Sequence, residues 1–186
     1  MNLQPYLFNQ FISANPLLED DFEVLYDAAS DPLVWEQHPN PDRYKKEVFM
    51  NFFKHALEFK GALLVKNQIN GQVIGSSRYY DFHIENSSVH IGYTFFRKEF
   101  WGGKYNYSLK LLMLQYAFQY VNKVLFHIGK NNVRSQKSIE RLGALKVREI
   151  NVAYAGELNR PNYEYLISKE DWPEIEMRLE TFLYSN

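Results

Sequence analysis

Residues 90–121 read HIGYTFFRKEFWGGKYNYSLKLLMLQYAFQYV, and a glycine pair, Gly102-Gly103, divides this stretch in two. The apolar run before the glycines is typical of a strand, and the run after them predicts a helix from about Asn106 to Val121. At such a corner the first N–H groups of the helix lack intrahelical partners and carry partial positive charge. Glycines let an anion reach those groups without meeting a Cβ atom. The corner is therefore either a plain turn or an anion site, and the pair alone does not decide.

Ahead of this stretch, the sequence predicts two helices and a hairpin. Residues 16–31 carry apolar side chains at helical spacing. A second helix is predicted to begin with Asp42 as its N-cap and to stop at Gly61. Asn70-Gly71 is a strong hairpin signal between two strands, and residues 88–96 are expected to form a third strand.

After the corner, strands and helices are predicted to alternate. The expected elements are a buried strand over 123–129, a helix over 133–142, strands near 145–155 and 162–167, and a helix over 168–183. The pattern predicts an α/β or α+β chain built around a mixed sheet.

Composition narrows the class of protein. The 186 residues suit one domain, 1–186, and 46% apolar residues allow a packed core. The net charge of -1 argues against a nucleic-acid binder. The chain has no cysteine, no apolar run long enough for a membrane span and no basic start typical of a secretory signal. The five histidines are scattered, so no metal site is expected, and the default expectation is a cytoplasmic protein, either monomer or homodimer.

Charge is unevenly distributed along the chain. Residues 19–42 contain eight acidic residues and no Lys or Arg before Arg43, whereas residues 123–148 are predominantly basic. These segments are either two solvated surfaces of opposite sign or flanks for a cationic and an anionic ligand.

A second motif lies some thirty residues beyond the glycines. Asn132-x-x-Ser135 is followed by Glu140 and Gly143, a pattern that by itself describes a short capped helix. Together with Trp101-Gly102-Gly103, in this order, the sequence resembles the GNAT superfamily of acyl-CoA-dependent N-acetyltransferases. It is similar to the branch that acetylates the N-termini of ribosomal proteins, and the resemblance extends over roughly residues 16–167.

The resemblance implies a mixed, twisted, mostly antiparallel sheet with helices on both faces, a C-terminal helix, and a central pair of parallel strands that splay apart. Acetyl-CoA would lie in this gap as co-substrate. Its pyrophosphate would bind the backbone of residues 102–106, and Lys130, Arg134 and Lys137 could face its charged end. The implied cofactor-binding residues are Phe95, Phe96, Trp101, Gly102, Gly103, Lys104, Tyr105, Asn106, Asn132 and Ser135. Lys104 and Asn106 depart from the family, which prefers small residues there, although Asn tolerates positive φ and can also cap a helix.

Acetyl transfer needs a base for the amine proton and a donor for the thioester oxygen. His90 occupies the position where the family often has a Glu, and histidine is a sensible base near neutral pH. His83 and Asp81 are lesser candidates. The oxygen donor is expected from the backbone near Phe95 or Phe96. Many family members use a Tyr as proton donor where this chain has Ile139, and the resemblance carries Ser135 over as the substitute.

The amine acceptor would be a small molecule or a peptide, bound by the N-terminal helices and the last hairpin. The candidate lining residues are Trp35, His38, Arg78, Tyr80 and Tyr154, and the acidic segment 19–42 hints at a cationic acceptor. Two other interpretations remain open: a non-catalytic acyl-CoA-binding or sensor protein on the same scaffold, and an interaction module without acyl-CoA.

Overall fold

The computed structural model describes residues 1–153 and 159–185. Within them lie eight strands: β1 (Leu7–Phe8), β2 (Ile12–Pro16), β3 (Ala62–Asn67), β4 (Val73–His83), β5 (Ser88–Phe96), β6 (Lys123–Gly129), β7 (Leu145–Val152) and β8 (Arg160–Ser168). The helices of these residues are α1 (Phe22–Ala29), α2 (Pro32–Trp35), α3 (Lys46–Glu58), α4 (Lys104–Ala117), α5 (Val133–Leu142) and α6 (Trp172–Tyr184). No helix among the described residues is both long enough and apolar enough to cross a membrane.

The strands form one mixed sheet in the order β1-β2-β3-β4-β5-β6-β8-β7. The β5–β6 pair is parallel, and the neighbouring pairs β4–β5 and β6–β8 are antiparallel. α4 and α6 pack on one face with Tyr79 and Ile91, and α1 and α3 pack on the other with Phe95. The predicted mixed sheet with helices on both faces and a C-terminal helix is confirmed.

The central parallel strands separate partway along their length. Their register runs from Ser88↔Lys123 to His90↔Leu125 and stops there, although β5 continues to Phe96 and β6 to Gly129. Beyond His90, the backbone groups of β5 that point towards β6 have no ladder partner in β6. This opening is the predicted splay.

β5 also contains a bulge at the start of the opening. Ser76 pairs with Phe95 and Arg78 pairs with Gly92, so β5 uses three residue steps where β4 uses two. Tyr93 takes up the extra residue with a φ of 52°. Bulges of this kind bend a strand and redirect its side chains, which here helps β5 to diverge from β6.

Several predicted boundaries were wrong. β1 and β2 were not predicted, because the β2 sequence ISANP is poor in strand-forming residues and its pairing with β1 and β3 is a tertiary contact. Asp42 is not the N-cap of α3, since it lies in a preceding 3-10 turn and Lys45 holds the cap position. The left-handed residue after α3 is Lys60 rather than Gly61. Gly61 is needed for another reason: a Cβ atom there would lie 2.0 Å from the carbonyl oxygen of Tyr79.

Candidate active site

The glycine corner presents bare backbone at the start of α4. Gly103 is the N-cap residue, no side chain caps the helix, and Gly102 has a φ of 76°. A Cβ atom built on either glycine would meet nothing within 4 Å, so the space in front of the first helical N–H groups is open. Asn106, which could have capped the helix, is not its N-cap. It lies inside the first turn, where its Nδ2 donates a hydrogen bond to Ser138 Oγ at 3.1 Å and ties α4 to α5.

The opening between β5 and β6 holds a cavity of about 390 Å³, called the cleft cavity below. It runs from the glycine corner to the bulge of β5. Its lining includes these predicted site residues: Trp35, His38, Tyr80, Phe95, Phe96, Trp101, Gly102, Gly103, Asn106, Asn132 and Ser135. Lys104 and Tyr105 are not among the lining residues. The Lys104 ammonium lies 5.1 Å from the Phe11 ring centre, and Tyr105 packs edge-on against Phe100.

Trp101 and Arg134 hold the corner against the rest of the fold. Trp101 Nε1 donates to the Phe96 carbonyl at 2.8 Å, and the Arg134 guanidinium lies 4.1 Å above the indole. Of the basic residues predicted to face an anion, Arg134 and Lys137 line the cleft cavity. Lys130 does not line it, because it forms an ion pair with Glu149 at 2.7 Å.

The second motif forms the capped helix that its sequence predicts. Asn132 Oδ1 accepts a hydrogen bond from the Ser135 backbone N–H at 3.1 Å, and Gly143 ends α5 with a φ of 111°. The same turn lies on the wall of the cleft cavity that the glycine corner also lines. Ile139, which stands where the family often has a Tyr, is buried on that wall.

A second cavity of about 630 Å³ lies on the α3 side of the sheet. Its walls include Arg78 and Asp81 of β4 and Phe52 of α3. Tyr80, Tyr93 and His127 line both cavities, so these three residues form the boundary between them. A group bound in the cleft cavity and one bound in the second cavity would meet at this boundary.

A row of polar side chains crosses the sheet at the same place. In strand order it consists of Tyr80, His90, His127, Glu164 and Arg148. Each member of the row contacts the next.

The ring centres of Tyr80 and His90 are 5.0 Å apart. His90 Nε2 is 3.2 Å from His127 Nε2, and His127 Nε2 is 3.3 Å from Glu164 Oε2. Arg148 donates two hydrogen bonds to Glu164, at 3.0 and 3.1 Å, and the Tyr80 hydroxyl lies 3.4 Å from His127 Nδ1. We call His90 and His127 the histidine pair.

Electrostatics keep both members of the pair neutral near pH 7. Burial, and after it the neighbouring His127, lower the pKa of His90 to about 4. Burial also lowers the pKa of His127, against the opposing effect of the Glu164 carboxylate. Burial alone would raise the pKa of Glu164, but the hydrogen bonds from Arg148 and His127 outweigh it and lower that pKa. The row therefore contains two uncharged imidazoles beside an ionised carboxylate.

The predicted base, His90, does not itself line either cavity. His127 does, and His90 lies behind it. Of the lesser candidates, Asp81 lines the second cavity, and His83 is exposed near the end of β4. Among the described residues, His90, His127 and Glu164 also bring potential metal-ligating atoms within 4.8 Å of one another. Their sequence spacing did not predict such a cluster, because the three residues come from three different strands.

The predicted acceptor residues have different surroundings. Trp35 is a core residue whose Nε1 donates to the Ala29 carbonyl at 2.7 Å. His38 lies 3.2 Å from Arg43 Nη1, and burial together with that guanidinium lowers the pKa of His38. Arg78 is buried on the wall of the second cavity, and Tyr154 lies outside the described residues.

The acidic residues of the segment 19–42 do not line either cavity. Three of their carboxylates are engaged elsewhere: Glu23 pairs with Lys46, Asp27 with Arg97, and Asp31 caps α2. The segment therefore gives the cavities no negative lining.

Lys110 is a buried cation that the sequence analysis missed. Its Nζ donates to Thr94 Oγ1 at 2.9 Å on the wall of the cleft cavity, and burial lowers its pKa to about 7. Its only signal was its position as a lone charge in the apolar segment of α4. His127 had a comparable signal in the sequence, as the one titratable group inside the apolar strand VLFHI. Nothing in the sequence indicated that Glu164 and Arg148 would contact it.

A family model described as an acetyltransferase (GNAT) domain matches residues 14–145. No curated protein matches the sequence. A solved structure assigned as an acetyltransferase is 25% identical, with a TM-score of 0.83 and coverage of 97% of this chain and 95% of that one.

Two further solved structures are similar in fold. A GCN5-related N-acetyltransferase from Brucella melitensis has a TM-score of 0.86 at 15% identity, covering 98% of this chain and 86% of its own. RimJ from Mycobacterium smegmatis, solved in complex with CoA-disulfide, has a TM-score of 0.71 at 13% identity, with coverage of 95% and 92%. At these identities the two structures support the fold and nothing finer.

Proposed function

The chain belongs to the GNAT acetyltransferase family, and from that premise we propose that it transfers an acetyl group from acetyl-CoA to a primary amine. In this proposal residues 1–186 act as one acyltransferase domain in the cytoplasm. The acceptor is a small molecule or a peptide N-terminus, the latter being the substrate class of the ribosomal-protein branch that the sequence resembles.

One observation carries the proposal: the open glycine corner and His127 line one continuous cavity, and His90 contacts His127 from behind. The corner offers unpaired helical N–H groups with open space before them, as a pyrophosphate requires. The far end reaches His127, where the second cavity begins. An extended ligand anchored at the corner would therefore present its far end to a neutral base and to a separate acceptor cavity.

Acetyl-CoA supplies the activated acetyl group as a thioester, and the residues of the chain handle the proton and the orientation. The acceptor amine attacks only when it is neutral, so its proton must leave. We assign this proton to the histidine pair, with His127 at the cavity wall and His90 behind it. Glu164, held ionised by Arg148, stabilises the imidazolium that forms, as a carboxylate does in other His-dependent sites.

The remaining predicted roles stay proposals. Asn132 and Ser135 would contact the pantetheine arm from the first turn of α5, and Ser135 would return a proton to the leaving thiolate. The unpaired β5 backbone near Phe95 and Phe96 would donate to the thioester oxygen, since this part of the strand has lost its β6 partner.

The experiment is to measure release of the CoA thiol from acetyl-CoA with a broad panel of amines, including peptides with free N-termini. We expect release that depends on both acetyl-CoA and an amine, with an acetylated product of the matching mass.

Binding measured beside turnover separates the alternatives. Tight binding of acetyl-CoA without turnover on any amine would contradict the enzyme and favour the non-catalytic acyl-CoA-binding protein. If neither CoA nor acetyl-CoA binds, the assignment of the cleft cavity is wrong.

A further inference from the structure

Arg78 is a buried cation that forms no ion pair with a carboxylate of the described residues. Only 4% of its surface is exposed, and its Nε atom makes no hydrogen bond within the described part of the chain. Its neighbours are rings: the guanidinium lies 4.3 Å from the Tyr93 ring centre and 5.8 Å from that of Phe52. Burial lowers the pKa of Arg78 to about 10. Desolvating a guanidinium in this way is costly unless an anion pairs with it.

The surroundings of Arg78 form a cavity instead of a closed core. It lines the second cavity of about 630 Å³, together with the aromatic rings of Phe52, Tyr80 and Tyr93. The other basic residues on that wall are Arg43 and Lys54, and within the described part of its lining the acidic residues are Glu58 and Asp81. Glu58 Oε2 lies 3.4 Å from His55 Nδ1. The cavity therefore favours a ligand with a negative charge.

Arg78 also lies within reach of the proposed proton acceptor. Arg78 and Tyr80 are two residues apart on β4, so their side chains lie on the same face and their Cα atoms are about 7 Å apart. The Tyr80 hydroxyl in turn lies 3.4 Å from His127 Nδ1. A ligand bound along this face of β4 would place an anionic group on Arg78 and an amine beside His127. An amine and a carboxylate joined by a short carbon chain carry both groups.

We propose that the acceptor is a small amino acid-type molecule whose carboxylate is held by Arg78 while its amine is presented to the histidine pair. This inference rests on the proposed acetyl transfer and narrows its acceptor. The planar guanidinium can donate two parallel hydrogen bonds to a carboxylate, which fixes orientation as well as supplying charge. The rings around Arg78 would contact the apolar part of the molecule.

The test compares matched acceptors with acetyl-CoA as the donor. Each set contains an L-amino acid, its carboxamide and the amine that lacks the carboxyl group, for alanine, leucine, phenylalanine and glutamate. For at least one set we expect kcat/KM for the acid to exceed that for the amide and the amine by tenfold or more. The carboxamide is a stringent comparison, because it has the same shape and a less basic amine.

Variants then assign the preference to Arg78. Arg78→Met should lower kcat/KM for the acid at least tenfold, mainly through KM, and lower it far less for the neutral acceptors. Lys54→Met is the control, since it removes an exposed cation from the wall of the same cavity. Melting temperature serves as the folding control. Arg78→Met should not lower it, because a buried cation without a carboxylate partner is replaced by an apolar chain of similar length.

Two results would overturn the inference and leave acetyl transfer intact: no acid preferred over its amide in any set, or Arg78→Met slowing acids and neutral amines equally. A lower melting temperature in Arg78→Met together with unchanged kinetics would assign Arg78 a structural role on the rings of Tyr93 and Phe52. Absence of both turnover and acetyl-CoA binding would instead reject the proposed function, and this inference with it.

Discussion

At the scale of single residues, His127 occupies the most informative position in the site. It lines both cavities, contacts His90 and Glu164 through one nitrogen, and faces the Tyr80 hydroxyl with the other. His90, the residue that sequence reasoning selected, lies one step further from either cavity. The two histidines therefore differ in access but share one polar row.

This difference predicts unequal effects of substitution. His127→Gln should lower kcat by roughly 10²–10⁴-fold, the range typical for loss of a general base. His90→Gln should lower it less and should move the acid limb of the pH–rate profile. The measurement is steady-state kinetics from about pH 4 to 9 on the wild type and both variants. An unchanged kcat in His127→Gln would remove the pair from the mechanism.

The pKa of His90 also predicts how stability depends on pH. The group titrates near 6.5 when unfolded and at about 4 in the fold, so between these values the unfolded chain binds more protons. The free energy of unfolding should therefore fall as the pH drops from 6.5 towards 4, by about 2 kcal/mol at pH 5 from this group.

Urea unfolding of wild type and His90→Gln at pH 7.5 and pH 5 tests this dependence. The variant should lose less stability than the wild type between the two pH values. Equal losses would mean that His90 is not held neutral by the fold.

At the scale of elements, the strand-to-helix corner and α4 carry the clearest expectations. The corner combines a left-handed Gly102 with a Gly103 that has free space in place of a side chain. The same helix carries Lys110 into the core two turns later, facing the cleft cavity. One element thus contributes both the proposed anion site and a buried cation.

Gly103→Val should weaken CoA binding without unfolding the corner. The φ of Gly103 is extended, so valine is tolerated, but its side chain would occupy the space in front of the helical N–H groups. We expect affinity for CoA to fall tenfold or more, about 1.4 kcal/mol, with little change in melting temperature. Calorimetric titration with CoA measures this, and Gly103→Ala should give a smaller loss. Wild-type affinity in Gly103→Val would refute the pyrophosphate assignment.

Lys110→Met should stabilise the free protein. Burial lowers the pKa of Lys110 to about 7, so at neutral pH the fold bears the cost of holding an amine that is charged when unfolded. Removing it should raise the free energy of unfolding by about 2 kcal/mol, after allowing for the lost hydrogen bond to Thr94. Chemical denaturation measures the change. Lys104→Met, on the exposed surface of the same helix, is the control and should change it by less than about 0.5 kcal/mol.

At the scale of the whole molecule, the splayed strands divide the sheet into two halves with a cavity between them. β5 belongs to the half that begins with β1, and β6 to the half with β8 and β7. Beyond His90 no ladder joins them, and side chains on both strands line the cleft cavity. A ligand in this opening would contact both halves and stabilise the folded state by mass action.

CoA at a hundred times its Kd should therefore stabilise the fold by about 2.7 kcal/mol. For a chain of this length that corresponds to a rise in melting temperature of roughly 5–10 °C. Thermal unfolding with and without CoA measures it, with adenosine as a control that lacks the pyrophosphate and pantetheine. An unchanged melting temperature would support the interaction module without acyl-CoA.

The sequence by itself determined the features that depend on neighbours along the chain. The glycine corner, the Asn132 cap, the Gly143 stop and the Asn70-Gly71 hairpin were predicted, because turn and cap geometry is set by a few consecutive residues. The combination of two such local motifs was also enough to indicate the family and its mixed sheet.

Only the tertiary structure decided the chemistry around them. The row from Tyr80 to Arg148 depends on the register of five strands, and register is a non-local property that no short sequence pattern contains. The environment of Arg78 is also non-local. In the sequence it is an ordinary strand residue, but in the fold Phe52 and Tyr93 pack around it and its buried guanidinium faces a cavity. Local geometry thus indicated where acetyl-CoA would bind, and long-range packing decided which groups line the proposed acceptor cavity.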